Sequence, residues 1–215
     1  FESGQLTQIN RMKIRADLAA IFELDPSEVA EALNMITLGD LPGKVSSTIA
    51  TAFGKTGTPS AQSALAKLVT NENLGSKVRF AALIAMASPK NPTEEAQKAL
   101  QSIIDPRDPL GLGSNALLIL GAMVGNLNQQ GGAGSEDSLE FLLGQEEAFR
   151  TAGRTSTFLS ALGNTFDNRS FHTLTRYLKD PSSVLRSGAV DALSNLSRKE
   201  VSGKLVEALN DENDL

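Results

Sequence analysis

Ala161-Leu162-Gly163-Asn164-Thr165 reads as a small or apolar pair, a Gly-like position and a polar turn, and this pattern returns along the chain. It reappears as Ala192-Leu193-Ser194-Asn195 and, upstream, as Ile119-Leu120-Gly121-Ala122, Ala85-Met86-Ala87-Ser88, Ala52-Phe53-Gly54-Lys55-Thr56 and Ile21-Phe22-Glu23. With Phe22, Gly54, Ala87, Gly121, Gly163 and Ser194 as register marks, the steps are 32, 33, 34, 42 and 31 residues. A period in this range marks an array in which each unit buries its apolar face only against its neighbours. The expected job of such an array is to bind something along an extended surface.

Composition agrees with helices. Aromatic residues make up 5%, with no Trp and one Tyr, while Ala and Leu are frequent, which suits closely stacked helices better than a β-sandwich. The expected fold is all-α, a solenoid of about five to six helix pairs, counted as a single domain over residues 1–215. The net charge of -5 and the absence of any basic run longer than two residues argue against nucleic-acid binding, which needs clustered Lys and Arg. No cysteine is present, which excludes disulfides, thiolate nucleophiles and Cys-type zinc sites. No apolar stretch is long enough to span a bilayer, and nothing in the sequence indicates a compartment. The chain opens at Phe1 and stops within or just after a helical pattern at Leu215, so the expectation is a piece of a longer protein.

Turn signals divide the chain into helices. The spacing predicts them over Leu6 to Phe22, from Asp25-Pro26 to about Ile36, and over Lys44 to Phe53, Ser60 to Val69 and Ser76 to Ala87. Further helices are expected over Thr93 to Ile104, Leu112 to Leu127, Glu136 to Leu143, Glu147 to Leu162, Ser170 to Leu178, Ser182 to Leu196 and Lys199 to Leu209. The step of 42 contains a Gly-rich polar run, residues 129–135, read as a flexible inter-helix loop and the first place to expect proteolysis.

Asp180-Pro181-Ser182-Ser183-Val184-Leu185-Arg186-Ser187-Gly188-Ala189-Val190-Asp191-Ala192-Leu193 resembles the second half of a HEAT repeat, and Ala161 to Asn164 with Leu174, Tyr177 and Leu178 resembles its first half. Lys77-Val78-Arg79-Phe80-Ala81-Ala82 repeats the pattern, with Arg79 and Arg186 each eight residues before the mark; Ile14, Ser46, Gly113 and Thr155 stand there in the other units. The resemblance implies a right-handed α-α superhelix whose second helices line a concave face. It also implies that Asp180 sits at an interhelical turn and that Arg186, like Arg79, is structural, an Arg being able to satisfy several carbonyls at once.

Carried onto that register, the concave stripe contains Val184, Ser187 and Asp191, opposite the core-facing Leu185, Ala189, Ala192 and Leu193. It continues through Lys77, Phe80 and Ile84, Ser114 and Leu118, Ser156 and Ser160, and Lys44, Ser47 and Thr51. Lys77, Phe80, Ile84, Ser114, Leu118 and Ser156 are the candidate partner-binding residues, with Phe80, Ile84 and Leu118 as an apolar patch. The alternative is that these residues pack between adjacent helices.

A second resemblance rests on Gly57-Thr58-Pro59-Ser60-Ala61-Gln62, Asn91-Pro92-Thr93-Glu94 and Ala116-Leu117-Leu118-Ile119-Leu120-Gly121. In that order and spacing, over about Thr51 to Gln129, they are similar to the helical horseshoe domain of vitellogenin and related large lipid-transfer proteins. That implies a helical segment bracing a lipid cavity formed elsewhere, in β-rich domains.

Catalytic constellations are thin. Imidazole chemistry would depend on His172 alone, which is read as a structural or surface histidine. Asp105 with Asp108, Glu136 with Asp137 and Glu146 with Glu147 lack calcium-loop spacing and read as caps and solvated faces. The Gly-rich stretches lack the Lys-Ser/Thr of a phosphate-cradling loop. Two glycosylation sequons, Asn168-Arg169-Ser170 and Asn195-Leu196-Ser197, carry meaning only in a secreted eukaryotic protein. The expectation is a non-catalytic scaffold without metal or cofactor that binds a protein or peptide partner on its concave face. The alternatives are a vitellogenin-like lipid-binding segment and, from proteins with similar repeats, a bilin lyase, which would need a tetrapyrrole pocket.

Overall fold

Local chemistry starts and stops the helices. In a computed structural model that describes residues 8–131, 134–197, 201–203 and 206, the helix α1 is Gln8–Leu24 and α2 is Pro26–Leu38. Asp25 caps α2, its carboxylate accepting from the Ser27 amide at 2.9 Å, and Pro26 occupies the first turn, where a missing N–H costs nothing. Then follow α3 (Gly43–Thr56), α4 (Pro59–Thr70), α5 (Ser76–Ala85), α6 (Glu94–Ile103) and α7 (Leu112–Gln129). Thr58 caps α4 ahead of Pro59 in the same way. The remaining helices are α8 (Glu136–Gly144), α9 (Glu146–Thr151), α10 (Thr155–Gly163), α11 (Phe171–Arg176) and α12 (Ser183–Ser194). No strand occurs among the described residues.

The helix expected from Glu147 to Leu162 is two helices, not one. Gly153 at φ +69° turns the chain after α9, and the Arg154 amide closes back onto the Phe149 carbonyl at 2.7 Å. The stretch from Ser170 to Leu178 is a short α11 flanked by 3-10 turns at Asn168–Ser170 and Tyr177–Lys179. The helix expected over 199–209 lies largely outside the described residues, and so does the centre of the Gly-rich loop, residues 132 and 133.

The chain divides into two compact units, Phe1–Ala99 and Leu100–Leu215. In the first, α1 packs on α3 and α3 on α5, while α2 packs on α4 and α4 on α5. Phe22 and Phe53 stack with ring centroids 4.8 Å apart, and Phe53, Leu65, Leu68 and Leu83 are fully buried. In the second unit α7 packs on α10 and α10 on α12, with α8 against α7 and α11 against α12. Its core holds Phe149, Phe158, Leu117, Leu120, Met123 and Leu139.

One relation recurs in both units and explains the sequence period. A Cβ on the marker glycine of one helix would overlap an alanine two residues before the mark of the helix packed on it. On Gly54 it would overlap the Ala85 carbonyl oxygen, on Gly121 the Ala161 carbonyl oxygen, and on Gly163 it would lie 2.8 Å from the Ala192 Cα. Small residues at both positions let the backbones approach, and the large apolar residue between them fills the core.

The first helix enters this pattern one residue later than its sequence suggests. Phe22 is buried and stacks on Phe53, the residue immediately before the mark Gly54, so Phe22 is itself the residue before a mark. The mark of α1 is therefore Glu23, and Arg15, not Ile14, stands eight residues before it.

Candidate functional site

The close approach of α10 and α12 leaves an open groove of about 460 Å³ beside their contact. Ser156 and Ser160 line it from α10, and Ser183, Val184, Ser187, Gly188 and Asp191 line it from α12. The spacing i, i+4 on α10 and i, i+3, i+7 on α12 places these side chains on the outward stripe, while Leu159, Ala189, Ala192 and Leu193 are buried beneath them. The walls thus offer several hydroxyls, one carboxylate and one exposed apolar side chain, Val184. Such a surface can hydrogen-bond a polar backbone or side chains, and it contains no imidazole to act as a base. His172 lies exposed on α11, its ring edge-on to Phe171 with centroids 5.5 Å apart.

In the first unit Lys77, Phe80 and Ile84 share one exposed stripe of α5, with Phe80 41% and Ile84 48% accessible. Lys44 is exposed at the start of α3. The hydroxyls of Ser47 and Thr51 are turned back onto the carbonyls of Gly43 and Ser47, each at 2.8 Å. In the second unit Leu118 is half-buried and Ser114 is buried. Ser114 therefore offers no surface to a partner, contrary to the expectation from its register. The reason is α7 itself, which is buried round most of its circumference by Leu112, Ala116, Leu117, Ile119, Leu120, Met123 and Val124. The apolar patch expected from Phe80, Ile84 and Leu118 reduces, within the first unit, to Phe80 and Ile84.

The position eight residues before the mark has a consistent surrounding. Arg186 is buried and donates from Nη1 to the carbonyls of Asp180 and Pro181 at 2.9 and 3.1 Å, while the Asp180 carboxylate accepts from the Ser182 amide at 2.9 Å. Arg79 donates from Nε to the Val69 carbonyl at the end of α4, at 3.0 Å. Ser46 reaches the Pro42 carbonyl at 3.3 Å, and at Gly113 the turn backbone comes so close that a Cβ would overlap the Asp105 carbonyl oxygen. In each case the position meets the end of the preceding helix or the turn that follows it.

Gln62 joins two turns of the first unit. It is buried; its amide nitrogen donates to the Gly57 carbonyl at 2.9 Å and the Asn91 carbonyl at 3.0 Å, and its oxygen accepts from the Thr93 amide at 2.8 Å. Three of its four hydrogen-bonding capacities are thereby used at the entry to α4 and just before α6. Gly57 to Gln62 and Asn91 to Glu94 are also the segments that carry the vitellogenin resemblance. Residues 28–214 match the model of the vitellogenin TPR domain. The chain belongs to that family. No curated protein matches it.

Other polar clusters of this vitellogenin TPR domain were not legible in its sequence. Glu146 accepts from Arg176 at 2.6 Å and from the Tyr177 hydroxyl at 2.8 Å, tying α9 to the end of α11. Burial and then the bond to Glu146 push the Tyr177 phenol up to about 12. Asn128, at the start of the Gly-rich run, donates to the Thr165 carbonyl at 2.9 Å and to Asp167 at 3.1 Å, and it accepts from Ser135 at 2.8 Å. The loop is thus clamped at its base. Burial raises the Asp167 carboxyl, but Arg169 and Asn128 outweigh it and hold the group below its ordinary range. Only the i to i+7 spacing of Asn128 and Ser135 could have signalled the clamp, and that spacing is not diagnostic.

Among the described residues no group of three or more His, Asp or Glu side chains could hold a metal ion, and no helix is long and apolar enough to cross a membrane. A second open groove, in the first unit, runs past Ala66, Lys67 and Thr70 of α4 and Glu94, Glu95 and Lys98 of α6, with Glu94 paired to Lys98.

Proposed function

We propose that this chain is the helical segment of a vitellogenin-like lipid-transfer protein, a non-catalytic brace for a lipid-holding part of the molecule. The observation that carries the reading is the family match over residues 28–214 of an all-helical chain. The two grooves favour bracing over enclosing: both are open, and hydroxyl, carboxylate and ammonium side chains stand in their walls, where an acyl chain would have to desolvate them. Within each unit the Gly–Ala contacts support HEAT-like stacking of neighbouring helices. The contribution of the segment is then a shaped surface and no chemistry of its own.

A lipid extract of the purified 215-residue chain, with native mass spectrometry alongside, tests this. The expected result is a lipid-free chain, and stoichiometric phospholipid or neutral lipid on it would replace bracing by direct lipid binding.

A protein-interaction scaffold is the second reading, favoured by the hydroxyl-rich groove of α10 and α12. Its partner would be a polar peptide segment that hydrogen-bonds to Ser156, Ser187 and Asp191. Ser160→Arg and Ser187→Arg, which fill the groove from exposed positions, should abolish capture of that partner at unchanged helicity. Capture that survives both substitutions removes this reading.

A further inference from the structure

The position two residues before the mark faces the preceding helix of the stack. Ala85 receives Gly54 there, Ala161 receives Gly121 and Ala192 receives Gly163. Every later occupant of this position, Ala52, Ala85, Ile119, Ala161 and Ala192, is buried. In α1, with Glu23 as the mark, the occupant is Ile21, and it is 47% exposed. A larger apolar residue than in most units thus stands exposed at a position that is buried in the others.

Its neighbours extend the same stripe. Ile14, Asp17, Ile21 and Leu24 follow the spacing of one helix face, and Ile14, Ile21 and Leu24 are all exposed, Leu24 at 86%.

We propose that the Ile14–Ile21–Leu24 face of α1 is an unfilled repeat interface whose occupant is a further helix pair of the same repeat, with small residues facing Ile21. The α1–α3 and α3–α5 contacts are one interface repeated, and the exposed face of α1 continues it. Three exposed apolar side chains on one stripe of α1 contrast with the polar outer face that a capping unit of a repeat array ordinarily presents. The proposal rests on stacking within the first unit and not on the lipid-protein reading, so either can fail alone.

The test compares the 215-residue chain with the protein isolated from its natural source. Amide exchange in α1 should be about ten-fold or more slower in the natural protein. A photoreactive benzophenone side chain in place of Ile21 should crosslink there to a helical segment of the same period. Equal exchange in both samples, or a crosslink to a segment outside any such repeat, overturns the proposal. In the isolated chain, Ile21→Lys with Leu24→Lys should leave the melting temperature unchanged. Loss of helicity would show that Ile21 packs internally, and a dimer dispersed by these substitutions would show a second copy as the occupant; either result overturns it.

Discussion

The Gln62 side-chain oxygen accepts the backbone N–H of Thr93 at 2.8 Å, across 31 residues of sequence. A buried amide that pairs with three backbone groups of two turns sets the distance between them. Gln62→Leu preserves approximate size but strands the Thr93 N–H and two carbonyls. The expected loss is about 1–3 kcal/mol in a denaturant titration, with faster exchange at the Thr93 amide. An unchanged midpoint would mean that water replaces the side chain without cost.

Gly121 and Gly188 should respond in opposite directions to the same substitution. A methyl group on Gly121 overlaps the Ala161 carbonyl oxygen, so Gly121→Ala should destabilise by about 1–3 kcal/mol. At Gly188 the nearest atom is the Leu159 Cδ1 at 3.6 Å, an ordinary contact in mid-helix, so Gly188→Ala should stabilise by about 0.5–1 kcal/mol. Paired thermal melts decide this, and equal effects would remove the packing explanation of the period.

Tyr177 is the only tyrosine and the chain has no tryptophan, so its ionisation can be followed by tyrosinate absorbance without interference. Its folded value is raised from 10.0 to about 12, which means that the neutral phenol is favoured in the fold. The associated stability is fully present below pH 10 and is lost as pH rises towards 12. Glu146→Gln removes the neighbouring charge and should move the titration back towards 10. Titration near 10 in the unsubstituted protein would show the phenol to be solvated.

Arg186 and Arg79 hold comparable positions with different burial. Arg186→Ala leaves two turn carbonyls without their donor in a buried setting, and should cost about 1.5–3 kcal/mol. Arg79→Ala should cost less, since Arg79 is only partly buried and makes one such bond. Chemical unfolding of both variants tests the order, and a larger loss at Arg79 would reverse it.

Much of the helical layout was legible because its causes are local. Asp25-Pro26 and Thr58-Pro59 start helices through capping and a fixed φ, chemistry confined to neighbouring residues. The Gly153 break is equally local but was missed, since one glycine is compatible with both a helix interior and a helix end until its φ is known.

The period, the all-helical class and the outward stripe of α12 were determined by the sequence alone, because apolar spacing dictates which face of a helix can leave water. Tertiary structure decided what depends on a distant neighbour. Ser114 is buried because α7 is enclosed, Gln62 bonds a turn 31 residues away, and Arg15 takes the register of Arg79 only because Phe22 stacks on Phe53. Close packing between backbones selects among registers that differ by one residue, and a one-residue shift turns a helical side chain through about 100°.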